Sequence, residues 1–438
     1  MKLSSGTQIT SVLKCPITIQ QRLGGGGQGV VYKIMYNGEE KALKVYKPGA
    51  LHDRPAFASN LQHNMEQGAP SPAFVWPLDV VDLPDGTLGY VMNLIPTDEF
   101  AELSEMFLPV SRGGKRFSSF KAAVDAMLNI TTAFRILHNR GYSYQDLNDG
   151  NFFINPKNGQ VLICDNDNVA PNGTHTGIMG TPRFMAPEII LGRGRVLPNT
   201  ASDRFSLSVI LFMMLTMAHP LEGKRFLAPL LTPEKQEILY GKEPIFVMDQ
   251  QDVRNRPVPE LQQNLLMIYP KLPGYVHQAF ERAFSQEVLQ NPGRRVTEAE
   301  WQELLIRLRN EFVTCAHCGG ETCLGDAGAK KCEDCAKSLP IDMTIRASGC
   351  DYSIPAASGT RLFRRHLGVC NIDAGLDPVG TIKRSRTDPH RRFFVNTSGR
   401  SATLLNGGTP TGTLQPDDKA EIRPGMEIRF SGGQIRFE

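Results

Sequence analysis

Between Gly141 and Pro171 the chain sets Asp146, Asn151, Asp165 and Asp167 around two short apolar runs, FFI and VLIC. A carboxylate and an amide five residues apart, followed by a second carboxylate after a hairpin-length segment, can converge on one divalent cation and one hydroxyl. Mg²⁺ takes such oxygen ligands and keeps phosphates as the others. The competing use of Asx residues is to cap turns, which suits Asn148, Asp149 and Asn155 better than Asp146, Asn151 and Asp165. Upstream, LGGGGQGVVYK places Gly24, Gly26 and Gly29 between two strand-like runs. Backbone without Cβ atoms can approach and cradle phosphate oxygens there, or simply turn a hairpin. In ALKVY, Lys44 interrupts an apolar run; a lysine in that setting either meets an anion or extends its head to solvent.

A second constellation lies near the C-terminal third. CAHC (Cys315, Cys318) and CEDC (Cys332, Cys335) form two Cys-x-x-Cys knuckles separated by thirteen residues, in a segment with too little apolar material for a core. That spacing points to a tetrahedral Cys₄ zinc site, with redox or disulfide use as the alternative. A closed Cys₄ site has no open position for catalysis. His317 and Cys323 read as bystanders, and the sparse local Lys and Arg argue against nucleic acid.

The elements that must position these groups follow from periodicity. From Cys15 to about Leu94 the runs ITIQQRL, VVYKIMY, KALKVY, FVWPLDVVD and GYVMNLI read as strands, with one weakly amphipathic helix over Arg54 to Gln67. After Ser118 a helical period takes over, SLSVILFMMLTM being apolar all round and therefore a buried helix, and EAEWQELLIRLRNEF closing the lobe. The last hundred or so residues return to strands: DMTIRA, RFFVNT, ATLLNG, AEIRP and MEIRFSGGQIRFE. At 438 residues the chain exceeds one core. Its 41% hydrophobic and 21% charged content is globular, and a net charge of +3 implies neither nucleic acid nor anionic membrane. The N-terminus lacks a sustained apolar segment, and Leu207 to Ala218 is too short to span a bilayer. Nine cysteines, four of them in knuckles, suit a reducing compartment, so the expectation is a soluble, cytoplasmic protein.

Taken in order, GxGxxG with a following valine, an AxK-like lysine, DxxxxN, a further Asp and GTPRFMAPE resemble the protein kinase family over roughly residues 16 to 312. The resemblance implies an α+β, two-lobed fold with ATP in the cleft. Gly24, Gly26, Gly29 and Val31 would cover the nucleotide, and Lys44 would pair with its α and β phosphates. Asp146 would accept or orient the substrate hydroxyl proton, while Asn151 and Asp165 hold Mg²⁺ or Mn²⁺. Met92 to Ile95 resembles the hinge, with Asn93 and Ile95 offering backbone groups to adenine. Glu188 of the APE-like motif would pair with Arg295, Asp203 would fix the catalytic-loop backbone, and Thr181 is similar to the threonine of serine/threonine kinases.

The departures bear on regulation. Tyr144-Gln145-Asp146 stands where the family reads HRD, so activity should not depend on the usual arginine grip on a phosphorylated activation loop. Asp165-Asn166-Asp167 stands where it reads DFG, which removes an aromatic and puts a carboxylate in place of glycine. Asn148 replaces the expected lysine. Glu66 is the nearest candidate for the helix glutamate that pairs with Lys44, and Thr174 and Thr176 are candidate autophosphorylation sites. The C-terminal stretch resembles the last strands of forkhead-associated domains, which bind phosphothreonine peptides; Arg364, Arg365 and the KRSR run at Lys383 are candidate phosphate ligands, against a non-binding β-sandwich. The expected domains are therefore a kinase domain (16–312), a zinc ribbon (313–339) and an all-β sandwich (340–438). That order is similar to bacterial kinases of stress or tellurium-resistance gene clusters, which implies protein substrates and, as partners, a PP2C-type phosphatase and a von Willebrand A protein. The alternative is a pseudokinase adaptor that binds nucleotide and partners without transfer. A kinase-fold small-molecule phosphotransferase is opposed by GTPRFMAPE.

Overall fold

Apolar alternation with Ile17 and Ile19 buried draws Pro16–Gly25 into a strand, and the same pattern builds a six-stranded antiparallel sheet. Its strands are β1 (Gln8–Thr10), β2 (Pro16–Gly25), β3 (Gly29–Tyr36), β4 (Glu39–Tyr46), β5 (Asp79–Asp82) and β6 (Leu88–Asn93), in the order β1-β2-β3-β4-β6-β5. Asn37 and Gly38, both at positive φ, close the tight turn that sets the β3–β4 register. In that register Lys44 lies opposite Val31 on one side and Tyr90 on the other. The run FVWPLDVVD is strand only over Asp79–Asp82, since Pro77 cannot donate to a ladder. Helix α1 spans Arg54–Gln67; the Asp53 side chain accepts from the Ala56 N–H and Pro55 begins the first turn. It buries only Phe57, Leu61 and Asn64, which explains its faint sequence pattern. The computed structural model describes residues 3–174, 177, 180–227, 231–369, 376–385, 387–388 and 391–438.

Contacts group the chain into two compact units, one of residues 1–118, 125–268 and 279–301, the other of 119–124, 269–278 and 302–438. Helix α2 spans Phe120–Asn139 and belongs to the first unit from Asp125 onward; there the strands Phe152–Ile154 and Val161–Ile163 pair antiparallel. Helix α3 (Thr200–Thr216) is the apolar one: a capping box at Asn199 and Ser202 starts it, and every residue from Phe205 to Thr216 is buried. Helix α4 spans Glu298–Glu311, its residues up to Trp301 counted with the first unit and those from Gln302 with the second. No described helix is long and apolar enough to cross a membrane.

The second unit holds a hairpin of Phe312–Thr314 and Glu321–Cys323, then an all-β region. There a six-stranded sheet (354–355, 344–347, 433–437, 426–430, 402–406, 409–414) faces a four-stranded one (361–363, 378–384, 392–396, 419–421). Ile345, Leu362, Ile382, Phe394, Ile428 and Phe437 form the core of this region. Three of these strands, Arg361–Phe363, Pro378–Arg384 and Thr409–Leu414, were not evident from alternation. Pro378 and Gly380 obscure one of them, and Gly380 is required there because a Cβ would lie 1.9 Å from the Phe394 ring.

Candidate functional site

The glycine-rich turn joins β2 to β3. A Cβ on Gly24 or Gly26 would meet nothing within 4 Å, whereas one on Gly29 would lie 2.6 Å from the Val45 carbonyl oxygen. Gly29 is thus fixed by close strand approach, and Gly24 and Gly26 leave an open rim. Beneath it, Ala42, Met92 and Cys164 form one apolar cluster with the partly buried Val31, Leu94, Ile95 and Phe153. Asn93 is exposed at the end of β6, where its side chain accepts from Lys41 Nζ at 3.0 Å.

Lys44 is buried and charged. Its Nζ donates to Asp165 Oδ1 and to Asp167 Oδ2, each at 2.9 Å. Burial pushes the ammonium pKa down, but the carboxylates of Asp167 and Asp165 outweigh it and raise it above the usual lysine value. Glu66 is not its partner: that side chain is exposed at the end of α1 and accepts from Gln62 at 3.2 Å. The strand period explains two further neighbours. Tyr46 lies on the same face of β4 as Lys44, Tyr90 lies opposite Lys44 on β6, and both hydroxyls donate to Asp167.

Asp146 follows Gln145, whose φ of 74° bends the loop. Asp203 holds this backbone, accepting from the N–H of Tyr144 at 2.6 Å and of Gln145 at 3.0 Å. Asp203 also receives His138 Nε2 at 3.1 Å, and the other ring nitrogen, Nδ1, lies 2.8 Å from Glu298 Oε1. His138 was not singled out from sequence, because its partners stand 65 and 160 residues away. Asp146 Oδ1 accepts from the backbone N–H of Thr181 at 3.1 Å and from its hydroxyl at 3.2 Å. Burial raises the Asp146 pKa by more than the bonds from Asn148 and Thr181 lower it. Asn151 commits its amide nitrogen to the Asp146 carbonyl at 2.8 Å, which leaves its oxygen as the atom to offer a cation. Asp165 sits at φ +50°, a left-handed conformation costly for a residue with a Cβ, and its side chain stays 39% exposed. Asn148 and Asn155 cap turns as expected, accepting from Gly150 N–H at 2.9 Å and Lys157 N–H at 3.0 Å.

The segment after the cleft is anchored without an aromatic. Asn166 donates to the carbonyls of Val75 and Ile163, both at 2.8 Å. Gln145 Nε2 donates to the Thr174 carbonyl at 2.9 Å, where the family's arginine is absent. Thr176 lies outside the described residues. Farther along, Arg295 makes a two-pronged bond to Glu188 at 2.8 and 2.6 Å, buried beside helix α3.

In the second unit the Sγ atoms of Cys315, Cys318, Cys332 and Cys335 all lie within 4.8 Å of one another. Two of the spacings are 3.7 Å (Cys315 to Cys335) and 3.6 Å (Cys318 to Cys332). Four thiolates about 2.3 Å from one tetrahedral Zn²⁺ stand about 3.8 Å apart, so the donor set fits that ion. Cys323 is outside the cluster. Of the candidate phosphate ligands, Arg365 is engaged by Glu303 at 2.5 Å, and Arg364 lies 4.0 Å from Asp377.

The chain is similar to known protein kinases. The serine/threonine-protein kinase Nek11 of Homo sapiens is 26% identical over 251 residues, 52% of this chain and 36% of its own. Protein kinase 2 of Dictyostelium discoideum is 26% identical over 238 residues, 50% of this chain and 47% of its own. The serine/threonine-protein kinase Pkn1 of Myxococcus xanthus is 28% identical over 226 residues, 48% of this chain and 30% of its own. The chain thus spans less than half the length of these relatives. The sequence profile described as "Protein kinase domain" matches residues 17–267, more than half of the 438. On that match the chain belongs to the protein kinase domain family.

Proposed function

We propose that this protein is an ATP- and Mg²⁺-dependent protein kinase that transfers the γ-phosphoryl group to serine or threonine hydroxyls of protein substrates. The reading is supported by the bond of Lys44 Nζ to Asp165, by the bond of Asn151 to the Asp146 carbonyl, and by the open space beside Gly24 and Gly26. Phosphoryl transfer needs positioning and charge neutralisation more than covalent chemistry. Asn151 and Asp165 would hold Mg²⁺ or Mn²⁺, which would supply positive charge against that of the phosphates. The chain's own residues do the rest. Asn151 and Asp165 offer oxygens to the metal, Lys44 meets the α and β phosphates, and Val31 with the backbone of Asn93 and Ile95 encloses adenine. Asp146, raised by burial, orients the attacking hydroxyl and takes its proton, and its bonds from Thr181 align the peptide-positioning segment with that carboxylate.

In this reading residues 16–312 are the kinase domain and 313–339 a ribbon stapled by structural Zn²⁺ on the four cysteines. Residues 340–438 form the β-sandwich, a candidate reader of phosphothreonine peptides. A role in bacterial stress signalling beside a PP2C-type phosphatase and a von Willebrand A protein rests on domain order and on the YQDLNDGN and DND variants, and a cytoplasmic setting rests on the cysteine usage. The pseudokinase adaptor is favoured by Gln145, Asn148 and the Asp165-Asn166-Asp167 sequence. Incubation with γ-labelled ATP and Mg²⁺, followed by phosphoamino-acid analysis, separates the two. Phosphoserine or phosphothreonine supports the kinase. Bound ATP with no label on protein leaves the adaptor.

A further inference from the structure

We propose that Asp167 is the positioning carboxylate of Lys44, taking the part that a helix glutamate plays elsewhere in this family, so that assembly of the lysine pair does not require movement of helix α1. The inference rests on the kinase reading of this cleft. A carboxylate with a side chain 0% exposed must be paired and hydrogen-bonded to remain charged. Asp167 is so provided, by Lys44 Nζ at 2.9 Å and by the hydroxyls of Tyr46 and Tyr90. In protein kinases the lysine and a helix glutamate must be brought together for activity. Here α1 carries a single acidic residue, Glu66, and it is exposed. Where α1 approaches the pair it presents Phe57, edge-on to the Tyr46 ring at 5.1 Å. The helix is held instead by Asn60 and Asn64, each donating to the Val169 carbonyl at 2.8 Å.

The two aspartates divide the work. Asp165, 39% exposed, is free to exchange Lys44 for a cation, whereas Asp167 is enclosed and keeps the ammonium in place while it does so. Both sit on one short segment whose backbone Asn166 ties to Val75 and Ile163. The pair is therefore set by the same loop that carries the metal ligand.

The test is a double-mutant cycle on the full chain with Asp167→Asn and Lys44→Met, reading three quantities: melting temperature, affinity for a fluorescent ADP analogue without added Mg²⁺, and kcat/KM for Mg-ATP. The sign of the affinity change discriminates, because neutralising a bystander carboxylate beside an anionic nucleotide would tighten binding or leave it alone. Loss of a positioning carboxylate weakens it. The expected result is roughly tenfold weaker nucleotide binding and about 10²-fold lower kcat/KM for Asp167→Asn. Asp167→Asn should have no further effect in the Lys44→Met background, and Glu66→Gln should behave as native. If Asp167→Asn does not fold, Tyr46→Phe combined with Tyr90→Phe keeps both carboxylates, removes two of the donors to Asp167, and should shift both quantities the same way by less. Native or tighter nucleotide binding with native kcat/KM in the folded variant would overturn the proposal. A native protein that transfers nothing, yet binds nucleotide in a manner that depends on Asp167 only when Lys44 is present, would defeat the kinase reading and leave the pairing standing.

Discussion

His138 shows how single side chains carry this fold. Burial pushes its pKa down, but hydrogen bonds and charge from Asp203 and Glu298 outweigh it and hold it up at about 9, from 6.5. Glu298 is correspondingly held at about 2 by His138 and Arg204 against the effect of burial. A histidine raised in the folded state stabilises fully below pH 6.5 and loses that contribution as pH rises through about 9. Urea unfolding should therefore show stability falling by roughly 3 kcal/mol between pH 6.5 and 9.5, a fall that His138→Phe should lack. A native protein equally stable at both ends would refute this. At this scale the sequence was informative where order along the chain carries meaning. Lys44, Asp146, Asn151, Asp165, Asp203, Glu188 and Arg295 could be picked out because their types recur in a fixed succession. The partner of Lys44 could not. Asp167 stands 123 residues away, and no local pattern says which of the acids near Asp165 turns inward.

Elements explain which changes the site tolerates. Gly29→Ala forces a Cβ against the Val45 carbonyl and should cost about 1–3 kcal/mol, while Gly24→Ala meets open space and should leave the melting temperature native. Asn166→Ala removes two donors to buried carbonyls and should cost about 1–3 kcal/mol, a loss that chemical denaturation would read directly. Arg295→Ala leaves Glu188 without its two-pronged partner beside a buried helix, and about 3–5 kcal/mol should be lost. Strands with clean alternation, and the uniformly apolar helix Thr200–Thr216, were legible in advance. Helix α1 was faint because it buries three side chains and relies on Asp53, Pro55 and two asparagines for its ends and placement. Pro378–Arg384 was hidden because the glycine it needs against Phe394 reads locally as a turn.

On the scale of the whole molecule, the proposed chemistry and the proposed zinc staple fall on separate residues. The four cysteines of 315–335 should bind one Zn²⁺ per chain, measurable by elemental analysis. Cys332→Ser should lose the metal and make the segment 313–339 susceptible to protease, because the segment has little apolar core of its own. Retention of stoichiometric zinc by that variant would contradict the assignment. The central claim concerns the cleft of the first unit, and one measurement reaches it most directly: ATP affinity and phosphoryl transfer determined side by side for the native protein and for Asp146→Asn. ATP affinity should stay within about twofold of native and transfer should fall by about 10²–10⁴-fold, because Asp146 is assigned to the hydroxyl and not to the nucleotide. Transfer at the native rate by Asp146→Asn, with ATP bound, would contradict it.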